Sequence, residues 1–501
     1  MLNFMRERSR EILFITVSLF VFSMLGVGAY SFLNRGDSNT QQELAYSQLG
    51  LLNGEPIDAY YYNRQFNQLF SSVPAEQRMV LDPDIIDYYR YQSFQETVSH
   101  MLMLKEAKEE GIKAFPQEFN YRMDQIVKAY GLTSMGKFKK LLKENNVEWK
   151  DFKEQQKNEI MVSKFLNGIT SRVRVTPIDR KLAFTEIKAR HILIKVDNTT
   201  ENMEEDLKKL KKAESIYEMI LSNKKNFAAI AEKYSEDTAS AKKGGDLGWI
   251  SRGQMVPEFE KMLYKLMPGE IGGPIKTMFG YHILLVEEKR EKDIPVNITD
   301  EQIDQQILQQ KQQEAVQKWL QPLKASADIE IIDPQVNAYD YRMQQKYEEA
   351  LFEYKKALME KNDLLLYVQI ARMQDKIGNV DEGKRSLRKA LILQKRLSGY
   401  RYPMLYFAAI DFFIKYKDRD LYRGLFDDVL ATFKGNKVIM DIADNNYRDN
   451  MTKTQRANLD EQLALIAEQE AQTESEKQSV QNNPLSALDK LDTLTGNSLV
   501  E

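Results

Sequence analysis

The spacing of apolar and polar positions divides the chain into blocks of different character. Residues 12–33, ILFITVSLFVFSMLGVGAYSFL, carry no charged side chain. As a helix they would extend about 33 Å, enough for the ~30 Å hydrocarbon core of a bilayer. Residues 34–185 follow with mostly helical periodicity, after a short apolar stretch broken by the turn signal Asn53-Gly54. Phe94, Val98, Leu102 and Leu104 share one helix face that Gly111 stops, and helix-like runs recur around 119–130, 135–144 and 152–169. Over 186–290 the pattern changes. A strand-like ARHILIKV precedes an amphipathic helix with Leu207, Leu210, Ile216, Tyr217 and Ile220 on one side. A shorter helix NFAAIAEKYS, a Gly-rich loop and a closing strand YHILLV complete that block. Within 291–333, a Thr299-x-x-Gln302 capping box opens a long Gln-rich helix that ends at the strand-like ADIEII.

Residues 334–447 are helical again and carry a weak repeat. KYEEALFEYKKAL (346–358) matches NVDEGKRSLRKAL (379–391) at an offset of 33, so that Ala350 falls on Gly383 and Ala357 on Ala390. Small residues there would let paired helices approach closely, and a period near 34 is the tetratricopeptide signature. An ordinary helical hairpin bundle is the competing reading. From residue 448 onward no aromatic residue occurs, which predicts a disordered polar tail over 448–501.

Charge sets the expected orientation. Arg6, Arg8 and Arg10 precede the apolar run, within the N-terminal residues 1–11. That excess predicts a cytoplasmic N-terminus, a single membrane-spanning helix over 12–33 and an exported remainder. The setting would be a bacterial inner membrane facing the periplasm. Val27-Gly28-Ala29 loosely fits a signal-peptide cleavage site, but the apolar run continues through Tyr30, Phe32 and Leu33. Over 501 residues, 71 Lys plus Arg against 74 Asp plus Glu give a net charge of −3. This removes the broad electrostatic case for nucleic acid. With no Cys and 3 His, thiol nucleophiles, disulfides, Cys-ligated zinc and iron–sulfur clusters are excluded. No metal and no cofactor are expected.

RHILI, then FAAIAEKYSEDTASAKKGGDLGWISRGQMVPEFE, then PGEIGGPIKTMFGYHILLV occur in that order over 190–286. In combination they resemble the parvulin family of peptidyl-prolyl cis–trans isomerases. The resemblance implies an FKBP-like α+β domain over 186–290. It places a proline socket at Leu247, Met255 and Phe259, with Phe279 as a further substrate-binding position. It pairs His191 and His282 on neighbouring central strands, with Thr277 beside them. Asp237 falls where the family faces the substrate amide, and Thr238 is a possible substitute because the loop is one residue longer here. Each position also has a plainer reading: the histidines could simply tie two strands together, and Met255 and Phe259 could be one core-facing helix edge. Gly244, Gly245 and Gly248 lack any P-loop or dinucleotide spacing, and fit turns with positive φ.

The flanks, through LLNGEPIDAYYYNRQF, the LMLKEAKEEGI helix and the helix plus strand of 291–333, resemble the periplasmic chaperone–isomerases of the SurA and PpiD types. The implied fold class is a multidomain α+β chain: N-terminal transmembrane helix, helical SurA-N-like chaperone domain (34–185, completed by 291–333), parvulin domain and tetratricopeptide-like α-helical domain. The implied partners are unfolded or newly translocated polypeptides; the tetratricopeptide-like extension departs from both types and offers a separate reading, docking of a translocon or envelope protein. The loop VDNTTENMEEDL, with Glu201, Glu204, Glu205 and Asp206, would repel phosphate, so unphosphorylated X–Pro bonds are the expected substrate. Two readings stand: an active, membrane-tethered isomerase and chaperone, or a holdase scaffold whose parvulin domain binds peptide without turnover.

Overall fold

The computed structural model describes residues 49–144, 147–196, 203–222, 226–277, 279–292, 299–396 and 401–482. The predicted span 12–33 and the N-terminal residues 1–11 lie outside them, as does 483–501. Among the described residues no helix is long and apolar enough to cross a membrane.

The elements begin with β1 (Gly50–Leu52), β2 (Glu55–Pro56), α1 (Ala59–Ser71), α2 (Ala75–Arg78) and α3 (Pro83–Glu109). Next come α4 (Pro116–Ala129), α5 (Met135–Glu144), α6 (Trp149–Thr170) and α7 (Pro177–Ala183). The mixed block holds β3 (Thr185–Lys195), α8 (Met203–Ser222), α9 (Phe227–Tyr234), β4 (Asp246–Ile250), α10 (Pro257–Lys265), β5 (Ile271–Thr277) and β6 (Gly280–Glu291). It is followed by α11 (Asp300–Ser326) and β7 (Ile329–Ile331). The last helices are α12 (Pro334–Met343), α13 (Tyr347–Lys361), α14 (Leu366–Lys376), α15 (Val380–Arg396), α16 (Pro403–Lys415), α17 (Arg419–Thr432), α18 (Lys437–Tyr447) and α19 (Lys453–Asn482). The described residues divide into two compact units, one within 99–327 and one formed by 49–98 with 328–482.

In the first unit the cap read from the sequence forms, and a second one joins it. Thr299 Oγ accepts the Gln302 N–H while the Gln302 side chain takes the Thr299 N–H, opening α11. Asp179 closes the equivalent box on Thr176 and also pairs with Lys311 at 2.5 Å, fastening α7 to α11. Trp319 of α11 packs edge-on against Phe165 of α6, centroids 4.8 Å apart, over a core of Met103, Ala107, Val162 and Leu166. This helical group carries the four-stranded antiparallel sheet, strand order β4-β3-β6-β5.

Period-two alternation gives that sheet two different faces. Ile192, Ile194 and Ile283 point to one side and form a core with Ile216 and Ile220 of α8 and Phe227 and Ile230 of α9. Leu207, predicted on that apolar side, is instead half exposed, at the start of α8 where the helix has run past the sheet core. The other face holds Ile187, Ala189, Leu284 and Val286 against Phe259, Leu263 and Leu266 of α10 and its flank. His191 pairs with Leu284 across the ladder and Leu193 with His282, so both histidines project from this second face.

In the second unit β1 lies between β2 and β7, and α12–α19 bury two large apolar clusters. The repeat positions behave as their size requires: Ala350, Ala357 and Ala390 are fully buried. A Cβ on Gly383 would meet the Phe412 ring at 2.7 Å. The predicted disorder from 448 is overturned in its first part. α19 runs to Asn482, with Leu459 fully buried and Leu463 and Ile466 packed on the same cluster. An i, i+4, i+7 apolar stripe, hidden within a polar composition, is enough to dock a helix on a ready-made surface. Gln462 Nε2 then donates to the Leu430 carbonyl.

Candidate active site

Around His191 and His282 the second face of the sheet becomes polar. The two Nδ1 atoms are 3.3 Å apart. His191 Nε2 lies 2.9 Å from Asp237 Oδ2 and 3.1 Å from Ser240 Oγ, and Ser240 in turn donates to Asp237. On the other side His282 Nε2 is 2.8 Å from Thr277 Oγ1, which accepts the Phe279 N–H at 3.1 Å. Both imidazoles are buried, as are Thr277 and Ser240.

The Asp237 end of the network is the most strongly constrained. Burial alone would raise the Asp237 carboxyl, but hydrogen bonds from Ser240, His191 and the Ala239 N–H outweigh it and hold it at about 2. Asp237 is therefore an acceptor only, and His191 Nε2 must carry hydrogen. The two Nδ1 atoms share a single hydrogen bond, which joins His191 to His282. The Thr277 hydroxyl lies within hydrogen-bond distance of His282 Nε2 and of the Gly280 carbonyl. Burial, together with the neighbouring His191, pushes His282 down to about 4, which keeps it neutral at ordinary pH. The contacts form one continuous chain from the Phe279 N–H to the Asp237 carboxylate, in which neighbouring hydrogen bonds polarise one another.

The backbone fixes this geometry. His191 N–H donates to the Gly245 carbonyl at 2.9 Å. A Cβ on Gly245, whose φ is +76°, would lie 2.2 Å from the His191 carbonyl oxygen. Only glycine lets the loop come that close. Gly244 and Gly248 also have positive φ, as the sequence pattern requires.

The predicted apolar residues meet at the same place. Phe259 is buried and presents an edge-to-face contact to both imidazoles, with centroids 5.9 Å from His191 and 5.3 Å from His282. Leu247 and Met255 are half-buried against its cluster. Phe259 is therefore core and site wall at once. Met255 is held through its N–H by Glu260 at 3.2 Å. Phe279 exposes half of its surface and enters the network only through its backbone. Thr238 is exposed, and Asp237 alone of the two takes the place beside His191.

Ser240 was not singled out in the sequence. Its signal is the Asp237-x-x-Ser240 spacing, which one tight turn folds into contact. Removing its hydroxyl tests its part: S240A is expected to raise the Asp237 titration midpoint from about 2 toward the ordinary carboxylate value. Carbon-13 NMR of the side-chain carboxyl reads that midpoint, and an unmoved value would show that Ser240 does not set it.

Residues 175–290 match the PPIC-type PPIASE domain, and residues 1–166 match the SurA-like N-terminal domain. The mixed block is a PPIC-type peptidyl-prolyl isomerase domain. The chain is 40% identical to the chaperone SurA of Legionella pneumophila (strain Lens) over 155 residues, 31% of this chain and 35% of that protein. It therefore spans about a third of the length of that curated relative. It is 28% identical over 305 residues to the foldase protein PrsA of Caldanaerobacter subterraneus subsp. tengcongensis, covering 58% of this chain and 89% of that one. Among solved structures, the peptidylprolyl isomerase PrsA of Bacillus anthracis aligns at 27% identity over 46% of this chain and 96% of its own, with a TM-score of 0.25.

Proposed function

We propose that this protein is a membrane-anchored peptidyl-prolyl cis–trans isomerase and folding chaperone that acts on unphosphorylated X–Pro bonds of newly exported envelope proteins. The observation that carries the reading is the buried network Thr277–His282–His191–Asp237 standing against Phe259 in a PPIC-type domain.

The chemistry asked of such a site is modest. Rotation about X–Pro meets a barrier of roughly 18–20 kcal/mol because the amide loses its resonance, and no bond breaks. A planar amide places negative charge on its oxygen; twisting returns that density to nitrogen. An anionic Asp237 facing the substrate carbonyl disfavours the planar forms more than the twisted one, which is the differential a rotamase needs. Leu247, Met255 and Phe259 hold the proline ring. His191, His282 and Thr277 keep the carboxylate in place without being consumed. Phe279 flanks the entrance.

The full chain should accelerate prolyl isomerisation of a short peptide in an NMR exchange assay, and D237N should slow it about tenfold or more. A folded protein with no rate above background would leave the domain as a peptide binder within a holdase scaffold. For the substrate, Glu204, Glu205 and Asp206 form the first turn of α8. Asp206 holds Lys276, a basic group next to Thr277, at 2.7 Å. A phosphoserine-proline peptide is therefore expected to turn over about tenfold less efficiently than its unmodified counterpart. Faster turnover of the phosphopeptide would overturn this preference. Retention of the protein in membranes through an intact N-terminus, read by fractionation and N-terminal sequencing, tests the anchor over 12–33. Suppression of client aggregation by the full chain tests the chaperone role.

A further inference from the structure

The surface formed by α12, α13 and α14 holds a segment from the far end of the chain. Residues 79–91, MVLDPDIIDYYRY, include the start of α3. Arg372 takes both carboxylate oxygens of Asp82 at 2.6 and 2.8 Å, and also meets Asp84 at 2.8 Å. Arg342 meets Asp84 at 2.9 Å. One and two turns further on, Asp87 accepts from the Tyr354 hydroxyl and the Gln369 amide. Tyr91 donates to Asp340 at 2.9 Å and packs on the Tyr339 ring. Asp84, Asp87 and Tyr91 are spaced i, i+3, i+7, so a single helical face is read.

The contact differs in kind from the cores on either side of it. Those cores are apolar, and their buried members all come from the C-terminal helices. The segment instead engages through carboxylates, amides and hydroxyls, with Met79 and Val80 only partly buried at its edge. Arg372 also lines a cavity of about 150 Å³ with Val368, Leu387 and Phe412, beside the acidic pair. Asp87, Tyr354 and Gln369 are almost fully buried, yet the contact is polar, as contacts between separate domains are more often than single cores. Two arginines brought together around carboxylates form a charge-specific reader.

We propose that α12–α14 form a recognition groove for an acidic-headed helix, occupied in cis by the chain's own residues 79–91. The pairing of β1 with β7 tethers this ligand beside the groove and gives it a high effective concentration. The face that the helical repeats would offer a partner is thus already taken. A competing protein must present the same pattern: two carboxylates at a helix start, a third one turn on, and an aromatic after it.

The test uses the full chain and a fluorescent peptide of residues 79–95. The variant D82N/D84K keeps a helix cap at position 82, since Asn serves there as Asp does. At position 84 it sets an ammonium group against the guanidinium groups of Arg342 and Arg372. The peptide is expected to bind this variant about tenfold or more tightly than wild type, where the tethered copy excludes it, and to weaken as salt is added. Adding R372E should abolish binding. Equal binding to wild type and variant, or none to a folded variant, overturns the proposal. Should D82N/D84K not fold, hydrogen exchange in R372Q decides. Faster exchange of amides 85–91 with unchanged exchange across 350–390 supports the groove; unchanged exchange at 85–91 overturns it. A wild-type dimer that R372Q converts to monomer would mean that the segment crosses to a second copy, and would overturn occupancy in cis.

Discussion

Truncating Phe259 to alanine is expected to abolish measurable isomerase turnover and to lower the stability of the sheet domain by roughly 3–5 kcal/mol. The ring is 2% exposed, belongs to the core between β3, β6 and α10, and gives edge contacts to both imidazoles. Removing it empties the floor of the proline socket and frees His191 and His282 to rotate, so the network that holds Asp237 loses its support. The two losses separate in F259L. Leucine refills most of the volume, and stability should return to within about 1.5 kcal/mol of wild type. Turnover should stay roughly tenfold down, because the aromatic wall is gone. Urea unfolding followed by tryptophan fluorescence reads the first quantity. The 3 Trp, Trp149, Trp249 and Trp319, all lie within 99–327, so the signal reports on the first unit, with Trp249 in β4 of the sheet domain itself. Wild-type turnover in a folded F259A protein would remove Phe259 from the site.

How far the sequence reveals this arrangement depends on the reach of each interaction. Strand alternation already puts residue 191 on one face with 193, and 282 with 284, and the caps at Thr176 and Thr299 are local motifs. The proline-socket residues are visible in pattern, yet nothing local distinguishes Phe259 as core from Phe259 as site wall; the structure makes it both. Ser240 stays hidden because a hydroxyl acquires its meaning only from what a turn brings to it. Asp237 and Thr238 are equivalent in one dimension and are separated by the direction in which that turn faces. The polar composition of 448–482 obscures Leu459, Leu463 and Ile466, whose burial depends on a surface built elsewhere. Least legible is the Asp82–Arg372 pairing, across a sequence separation of 290. In the sequence those carboxylates are an ordinary solvated helix start.

Lowering the pH from 7.5 to 5 is expected to stabilise the second unit while destabilising the sheet domain. Asp87 is 2% exposed and accepts from Tyr354, Gln369 and Gln335. Arg342 and Arg90 act on it from a distance, but burial dominates and raises its carboxyl to about 6. Because the folded state holds this proton more tightly than the unfolded chain, the stability it contributes is fully present below the ordinary carboxylate range. It is lost as pH rises through about 6. Between pH 7.5 and 5 the change is on the order of 1–1.5 kcal/mol, since only part of the titration falls in that window. Asp411, also raised by burial and bonded to Tyr447, acts in the same sense. Asp84 and Asp333 are lowered by the charges beside them despite their burial, and oppose it only at more acid pH. In the sheet domain the sign is reversed. His282 is depressed to about 4, so stability present above pH 6.5 is lost as the pH falls toward that value. Hydrogen exchange of α12–α16 amides should therefore slow on acidification, after correction for intrinsic rates, while the tryptophan-detected transition moves to lower urea. D87N should flatten most of the first trend and leave the second untouched. A second unit that weakens between pH 7.5 and 5, or a D87N protein with the wild-type slope, would show that Asp87 is not the group responsible.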